Sequence, residues 1–235
     1  MFSLGIILAR AGSKGLPDKC MRPLLGRPLI EHTFDHALAA ARLGATLLSS
    51  DSAAALECAR RRGIETVERP AALAGDTARI DDAARHAVEQ WEGRHGRTVD
   101  AVVLLYGNIP VRRAGVIDEA LAHLERSAAD SVRTVAPIGR HHPDWLHRLD
   151  GDRMQQYRAN GTYRRQDLEP LYYHDGAVAA VTRAALFAAT RDDGQSFLGR
   201  DRRAIVQRPE DAVDVDEPAD LLLAEAVLRA AGGAP

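Results

Sequence analysis

Through the first two-thirds of the chain, short apolar runs alternate with stretches whose apolar residues recur every three or four positions. Residues 4–9, 45–49, 64–67, 101–105 and 131–136 are short and apolar, and read as strands. Residues 29–42, 53–62, 81–91 and 116–124 carry the helical spacing. This alternation predicts an α/β fold with a mostly parallel sheet covered by helices. Ligands of such sheets bind at the carboxyl ends of the strands. The segments 10–19, Ser50-Asp51 and 106–112 all follow strands and are expected to converge on one edge.

Residues 139–175 break the pattern. They are rich in His, Arg, Tyr, Gln and Asp and read as an insertion or as an arm that packs on something else. Regular structure is expected again at 176–181. Residues 212–216 read as a strand ending in acids, followed by a helix over 218–230. With no internal repeat and no low-complexity linker, the 235 residues read as a single domain.

Composition narrows the function. A hydrophobic content of 46%, a charged content of 27% and a net charge of −2 describe a globular protein and argue against nucleic-acid binding. The N-terminal apolar run is too short for a membrane span and lacks a basic leader. Cys20 and Cys58 have neither metal-ligand spacing nor a disulfide pattern, so a soluble, cytoplasmic protein is expected. Of 31 basic residues only two are lysines, Lys14 and Lys19, and both fall in the loop after the first strand. An ammonium acts as a compact point charge on phosphate, where a guanidinium imposes a fork.

That loop reads Ala9-Arg10-Ala11-Gly12-Ser13-Lys14-Gly15-Leu16-Pro17-Asp18-Lys19. Backbone N–H groups beside Gly12, Ser13 and Gly15 can wrap phosphate oxygens while Arg10, Lys14 and Lys19 neutralise their charge. It is neither a Walker A loop nor a dinucleotide fingerprint. Asp214-Val215-Asp216 is a second candidate. Carboxylates at i and i+2 of a strand share one side and suit Mg²⁺, but Asp216 is equally placed to cap the final helix before Pro218. Pattern alone leaves both readings open. Arg164-Arg165-Gln166-Asp167-Leu168 is either an anion site or a solvated surface. His141-His142-Pro143 lacks zinc spacing and reads as a turn.

Together these residues resemble the acylneuraminate cytidylyltransferase family, nearly end to end. The loop 9–19 carries the most specific match. It is followed by Arg22-Pro23-Leu24, Pro28-Leu29-Ile30, Ser49-Ser50-Asp51, Arg69-Pro70, Leu73-Ala74 and Asp76-Thr77-Ala78, and then by Arg164–168 and Asp214-Val215-Asp216 in order. The resemblance implies a Rossmann-like nucleotidyltransferase domain in which Arg10, Lys14 and Lys19 hold the CTP phosphates. Ala9, Gly12 and Ser13 would belong to the same nucleotide-binding loop, and Arg69 would approach the cytosine. Asp214 and Asp216 would hold Mg²⁺. Residues 139–175 would form a dimerisation arm of a homodimer, and Arg165 would reach the sugar of the neighbouring protomer.

The departures concentrate where the resemblance places the acceptor. Cys20 stands where the family has Asn, and Arg79-Ile80 where it has serines. The family's Gln-Pro-Thr-Ser-Pro-Leu-Arg is here Tyr106-Gly107-Asn108-Ile109-Pro110-Val111-Arg112. Its Asn-Gly-Ala-Ile-Tyr is Asp175-Gly176-Ala177-Val178-Ala179. Tyr106, Asn108, Arg165 and Asp175 are therefore the expected acceptor contacts, and an acceptor other than N-acetylneuraminate is expected, because a pocket rebuilt in its polar groups selects a different ligand. The expected activity is transfer of CMP from CTP to the hydroxyl of a nonulosonate-type 2-keto-3-deoxy sugar acid. The alternatives are a different acidic acceptor, such as a phosphonate, and a binding protein that has lost turnover.

Overall fold

A computed structural model describes residues 1–12 and 15–232 of the chain. Seven strands form the main sheet: β1 (Ser3–Leu8), β2 (Ala45–Ser50), β3 (Glu65–Glu68), β4 (Ala101–Tyr106), β5 (Ser131–Pro137), β6 (Tyr172–Thr182) and β7 (Arg202–Val206). Their order across the sheet is β7-β5-β6-β4-β1-β2-β3. Only β6 runs antiparallel to its neighbours, because the chain returns through it from the polar segment that follows β5.

The helices are α1 (Leu29–Leu38), α2 (Ala53–Arg61), α3 (Ile80–His95), α4 (Val116–Ser127), α5 (Arg183–Phe187) and α6 (Pro218–Ala230). Phe34 of α1, Leu56 of α2 and Leu121 of α4 pack with Ile7, Leu48, Val103 and Leu105 on one face of the sheet. Ala84 and Val88 of α3 and Leu186 of α5 pack with Ile6, Leu47, Val102 and Leu104 on the other. Both faces of β1 and β4 are buried, which is why their sequences are continuous apolar runs instead of alternating ones. A third cluster joins Leu16, Leu24, Leu29, Val111, Val213 and Val215 to Ala224 of α6. It pins the loop after β1 against the end of the chain.

The structure corrects several expectations. The first helix ends at Leu38, four residues before the end that the spacing suggested, and Ala40 N–H bonds back only to Ala37 O (3.3 Å). Residues 212–216 are not one strand. Ala212–Val213 pairs with Val111–Arg112, and Asp214–Asp216 continues without sheet pairing. β7 and α5 carry no clear sequence signal. Only Ile205 of β7 is buried, so it is an edge strand with little apolar pattern. Sheet pairing resumes at Tyr172, ahead of the expected 176, with a register shift between His174 and Ala179. The rest of 139–175 holds short 3₁₀ turns, irregular stretches and an exposed hairpin, His147–Asp150 with Arg153–Gln156. No helix among the described residues is long and apolar enough to cross a membrane.

Candidate active site

A cavity of about 280 Å³ opens where β1, β3 and β4 end, against the start of α3. Arg10, Lys19, Cys20 and Arg69 line one side of it, residues 73–76 and Ala78 through Ile80 another, and Tyr106 and Asn108 the third. The expected convergence of the strand ends therefore occurs.

The loop after β1 is held by its neighbours. Ala9 N–H donates to Ser49 O (3.2 Å) and Ala11 N–H to Asp51 Oδ1 (2.9 Å). Gly15 lies against the acids: a Cβ there would sit 2.7 Å from the carbonyl oxygen of Asp216. A glycine is thus required by close approach of two backbones. Arg10 Nη1 pairs with Asp76 Oδ1 (2.9 Å). Lys19 Nζ pairs with the Asp216 carboxylate. Gly12 is exposed and not part of the cavity wall, and Ser13 and Lys14 lie outside the described residues.

Arg69 is buried, and donates from Nη2 to Ser49 O (2.6 Å) and from Nε to Ser49 Oγ (3.2 Å). Ser49 and Asp51 therefore serve as anchors for Arg69 and for the loop. Burial lowers the basicity of Arg69, and the Arg10 charge adds to the effect. The Cys20 thiol is pushed up to about 11 by burial, so at neutral pH it is a small uncharged wall group and not a nucleophile.

Asn108 draws the two acids together. Its Nδ2 donates to the Asp214 carboxylate, to Val215 O (3.3 Å) and, more weakly, to Asp216 Oδ1 (3.5 Å), while Val215 N–H returns a bond to Asn108 O (3.0 Å). Burial and then the neighbouring Asp216 push the Asp214 carboxyl up to about 6. The N-cap proves to be Glu217, in a capping box with Asp220. Asp220 Oδ2 accepts from Asp216 N–H (2.9 Å) and Glu217 N–H (2.8 Å), so the Asp216 side chain is free to face Lys19. Two crowded hard-oxygen ligands, one with its carboxyl raised by burial and by the charge of the other, are a donor set that a divalent cation fits. Among the described residues no cluster of three or more His, Cys, Asp or Glu forms a closed metal site, so further ligands would come from substrate and water.

The segment 106–112 is fixed from below by Arg112. This buried guanidinium donates to Tyr106 O (2.8 Å), Ala177 O (2.8 Å), Thr33 Oγ1 (3.0 Å) and the Ile109 carbonyl. Burial lowers its pKa to about 9. Gly176, at φ +76°, leaves room for Ile109, whose Cδ1 would lie 2.6 Å from a Cβ.

Two expected acceptor residues sit elsewhere. Asp175 is buried, and its carboxylate accepts from Thr134 Oγ1, Ala177 N–H (3.0 Å) and Gln207 Nε2 (2.8 Å). It takes no part in the cavity wall. Arg165 lines a separate groove of about 480 Å³ with Ile138, Arg140, His141 and Tyr173, and within this protomer it is not brought to the cavity. Arg79 is the cavity residue whose work the sequence hid. It chelates Asp81 (3.0 and 3.2 Å) and donates to the carbonyls of Thr190, Arg191 and Asp193, tying 190–193 to the start of α3.

The cytidylyltransferase family profile matches residues 4–194. The chain belongs to the cytidylyltransferase family. It is 32% identical over 221 residues to an N-acylneuraminate cytidylyltransferase of Streptococcus agalactiae, covering 92% of this chain and 51% of that protein. It is 28% identical over 234 residues to the CMP-N,N'-diacetyllegionaminic acid synthase of Legionella pneumophila, covering 96% of each. A 3-deoxy-manno-octulosonate cytidylyltransferase of Brucella ovis is 34% identical over 130 residues, 55% of this chain and 49% of that one. The chain spans about half the length of the Streptococcus relatives it matches. In three dimensions a CMP:2-keto-3-deoxy-manno-octonic acid synthetase solved with CTP superposes with a TM-score of 0.72 at 18% identity, covering 98% of this chain and all of that one, which shows a shared fold. The α/β fold with a mostly parallel central sheet, expected from the sequence, is thereby borne out.

Proposed function

We propose that the chain transfers CMP from CTP to a hydroxyl of an acidic 2-keto-3-deoxy sugar and releases pyrophosphate. The observation that carries this reading is the cavity itself, in which Arg10, Lys19 and Arg69 stand on one wall and Asn108 ties Asp214 to Asp216 beside them. The relatives named for CMP-sugar synthesis support the acidic acceptor.

The acceptor oxygen attacks the α-phosphorus, and the bond from that phosphorus to the bridging oxygen of the β-phosphate breaks. Negative charge grows on the departing pyrophosphate. Arg10 and Lys19 are cations held in the cavity wall, where they would oppose it. Arg69, immobilised on Ser49, closes the base end and accepts no alternative rotamer without losing two hydrogen bonds. Asn108 and Lys19 hold the two carboxylates in register with each other. Asp214 and Asp216 would hold Mg²⁺, which supplies charge neutralisation on the phosphates when bound.

Residues 139–175 are read as a dimerisation arm. Leu149, Met154 and Tyr163 on it are 71%, 64% and 92% exposed, an apolar surface that a partner chain would cover. Arg165 would then serve the partner's site.

Pyrophosphate release from CTP, measured across a panel of acidic 2-keto-3-deoxy sugars, tests the reading. Release that requires both CTP and one of these acids supports it; no release with any of them sinks it.

A further inference from the structure

Leu104, Ala179, Arg133 and Ala204 form one row across β4, β6, β5 and β7. Directly paired side chains stand on the same face of a sheet. Arg133 is therefore flanked by two alanines, which leave the space that its long side chain needs. Its face is the one packed by α3 and α5, to which Leu104 and Ala179 contribute and against which Tyr106 packs. Tyr106 lies two residues beyond Leu104 on the same strand and also lines the nucleotide cavity. His174, paired with Val135, stands two residues further along the same face.

Arg133 is half-buried, and among the described residues no hydrogen bond or ion pair engages its guanidinium. The charged groups around it are already committed. Arg202 pairs with Asp193 (3.4 Å) and donates to Gly199 O (2.8 Å). Asp175 has its carboxylate filled by Thr134, Ala177 and Gln207. Burial weakens the Arg133 base, with Tyr106 and Asp175 the nearby groups that oppose the effect. A partly desolvated guanidinium without a counter-ion is a costly arrangement for a sheet row that is otherwise apolar. A planar bidentate anion removes the cost, and carboxylate has the matching geometry.

We propose that Arg133 is a specificity-determining residue that receives the carboxylate of the acceptor beside Tyr106. This rests on the reading of the chain as a transferase to an acidic acceptor. A CTP phosphate has related chemistry, and the kinetics of the two substrates separate the two sources.

The experiment compares wild type with Arg133→Met, Arg133→Gln and Arg133→Lys, using CTP, the acidic sugar that gives turnover in the panel, and the methyl ester of that sugar. Arg133→Met and Arg133→Gln should each raise the acceptor KM about tenfold or more while leaving the KM for CTP within about twofold. Arg133→Lys should recover part of the loss, and the wild-type preference for acid over ester should shrink in the neutral variants. Two neutral variants are used so that one that folds poorly does not decide the matter. An unchanged acceptor KM in a folded neutral variant overturns the assignment, as does an equal loss on acid and ester. A rise in the KM for CTP alone transfers the guanidinium to the phosphates and also overturns it. Absence of wild-type turnover with every acid removes the transferase reading itself, and this assignment with it, whereas wild-type turnover with unaffected variants removes only the assignment.

Discussion

Lys19 and Asp216 are ion-paired although 197 residues separate them in sequence. The pair joins the loop after β1 to the acidic segment before α6, and Gly15 lets the same loop touch the Asp216 backbone. One ammonium is thus positioned both by a carboxylate and by the cavity into which it faces.

Lys19→Arg keeps the charge but replaces a point donor by a fork. The guanidinium cannot reproduce the single-point contact that the ammonium makes with the Asp216 carboxylate. The variant should lose about tenfold or more in kcat/KM, roughly 1.4 kcal/mol of transition-state stabilisation. Wild-type kinetics in this variant would mean that only charge matters at position 19.

Asp214 and Asp220 separate chemistry from capping. Asp214→Asn should reduce turnover by about two orders of magnitude or more with the fold retained, because a ligand charge is lost. Asp220→Ala removes the acceptor for the Asp216 and Glu217 N–H groups, and should cost about 1 kcal/mol of stability. Thermal unfolding and kcat measured on both variants check this. Comparable small losses of activity in the two would demote Asp214 to a structural acid.

How legible the site was follows from these particular residues. The Lys19 position stood out because lysine is scarce in the chain, and the strand ends converged because β1 and β4 are buried on both faces and so are plainly apolar. The closeness of Asp214 to Asp216 was expected from strand alternation, but it arises from Asn108, a side chain 106 residues away. No local pattern carries that information. Arg133 was hidden for the converse reason: one arginine within Ser131–Pro137 looks like the solvent-facing member of an edge strand, and only the cross-strand row shows its place. Asp175 shows the limit of resemblance. Position in a motif aligned it with acceptor contacts, while burial beside Thr134 and Gln207 gives its carboxylate partners inside the protein.

His36 offers a pH test independent of activity. Its Nε2 lies 3.2 Å from Pro110 O, and burial and then the Arg112 charge lower its pKa to about 4. The unfolded chain binds a proton near pH 6.5 that the folded chain refuses until about pH 4, so stability falls as pH drops through that window. The loss attributable to His36 is on the order of 2 kcal/mol. Denaturant titrations at pH 7.5 and pH 4.5 should show a smaller difference in His36→Gln than in wild type. An identical difference in both proteins would mean that the ring titrates normally.

The arm gives a test of assembly. If 139–175 seats on a second copy and Arg165 acts there, sedimentation at micromolar concentration should show a dimer. Mixing inactive Arg165→Ala with inactive Asp214→Asn should restore activity through one composite site per heterodimer. A monomer, or verified heterodimers without rescue, would place Arg165 outside the partner's site.

The central claim is that this cavity moves a CMP group, and following the label tests it most directly. With CTP labelled at the α-phosphorus and an acidic 2-keto-3-deoxy sugar, the label should appear in a CMP-sugar, one for each pyrophosphate released, and Asp214→Asn should abolish both products together. Label recovered only as free CMP, or as unchanged CTP across the whole panel of acids, would contradict the account.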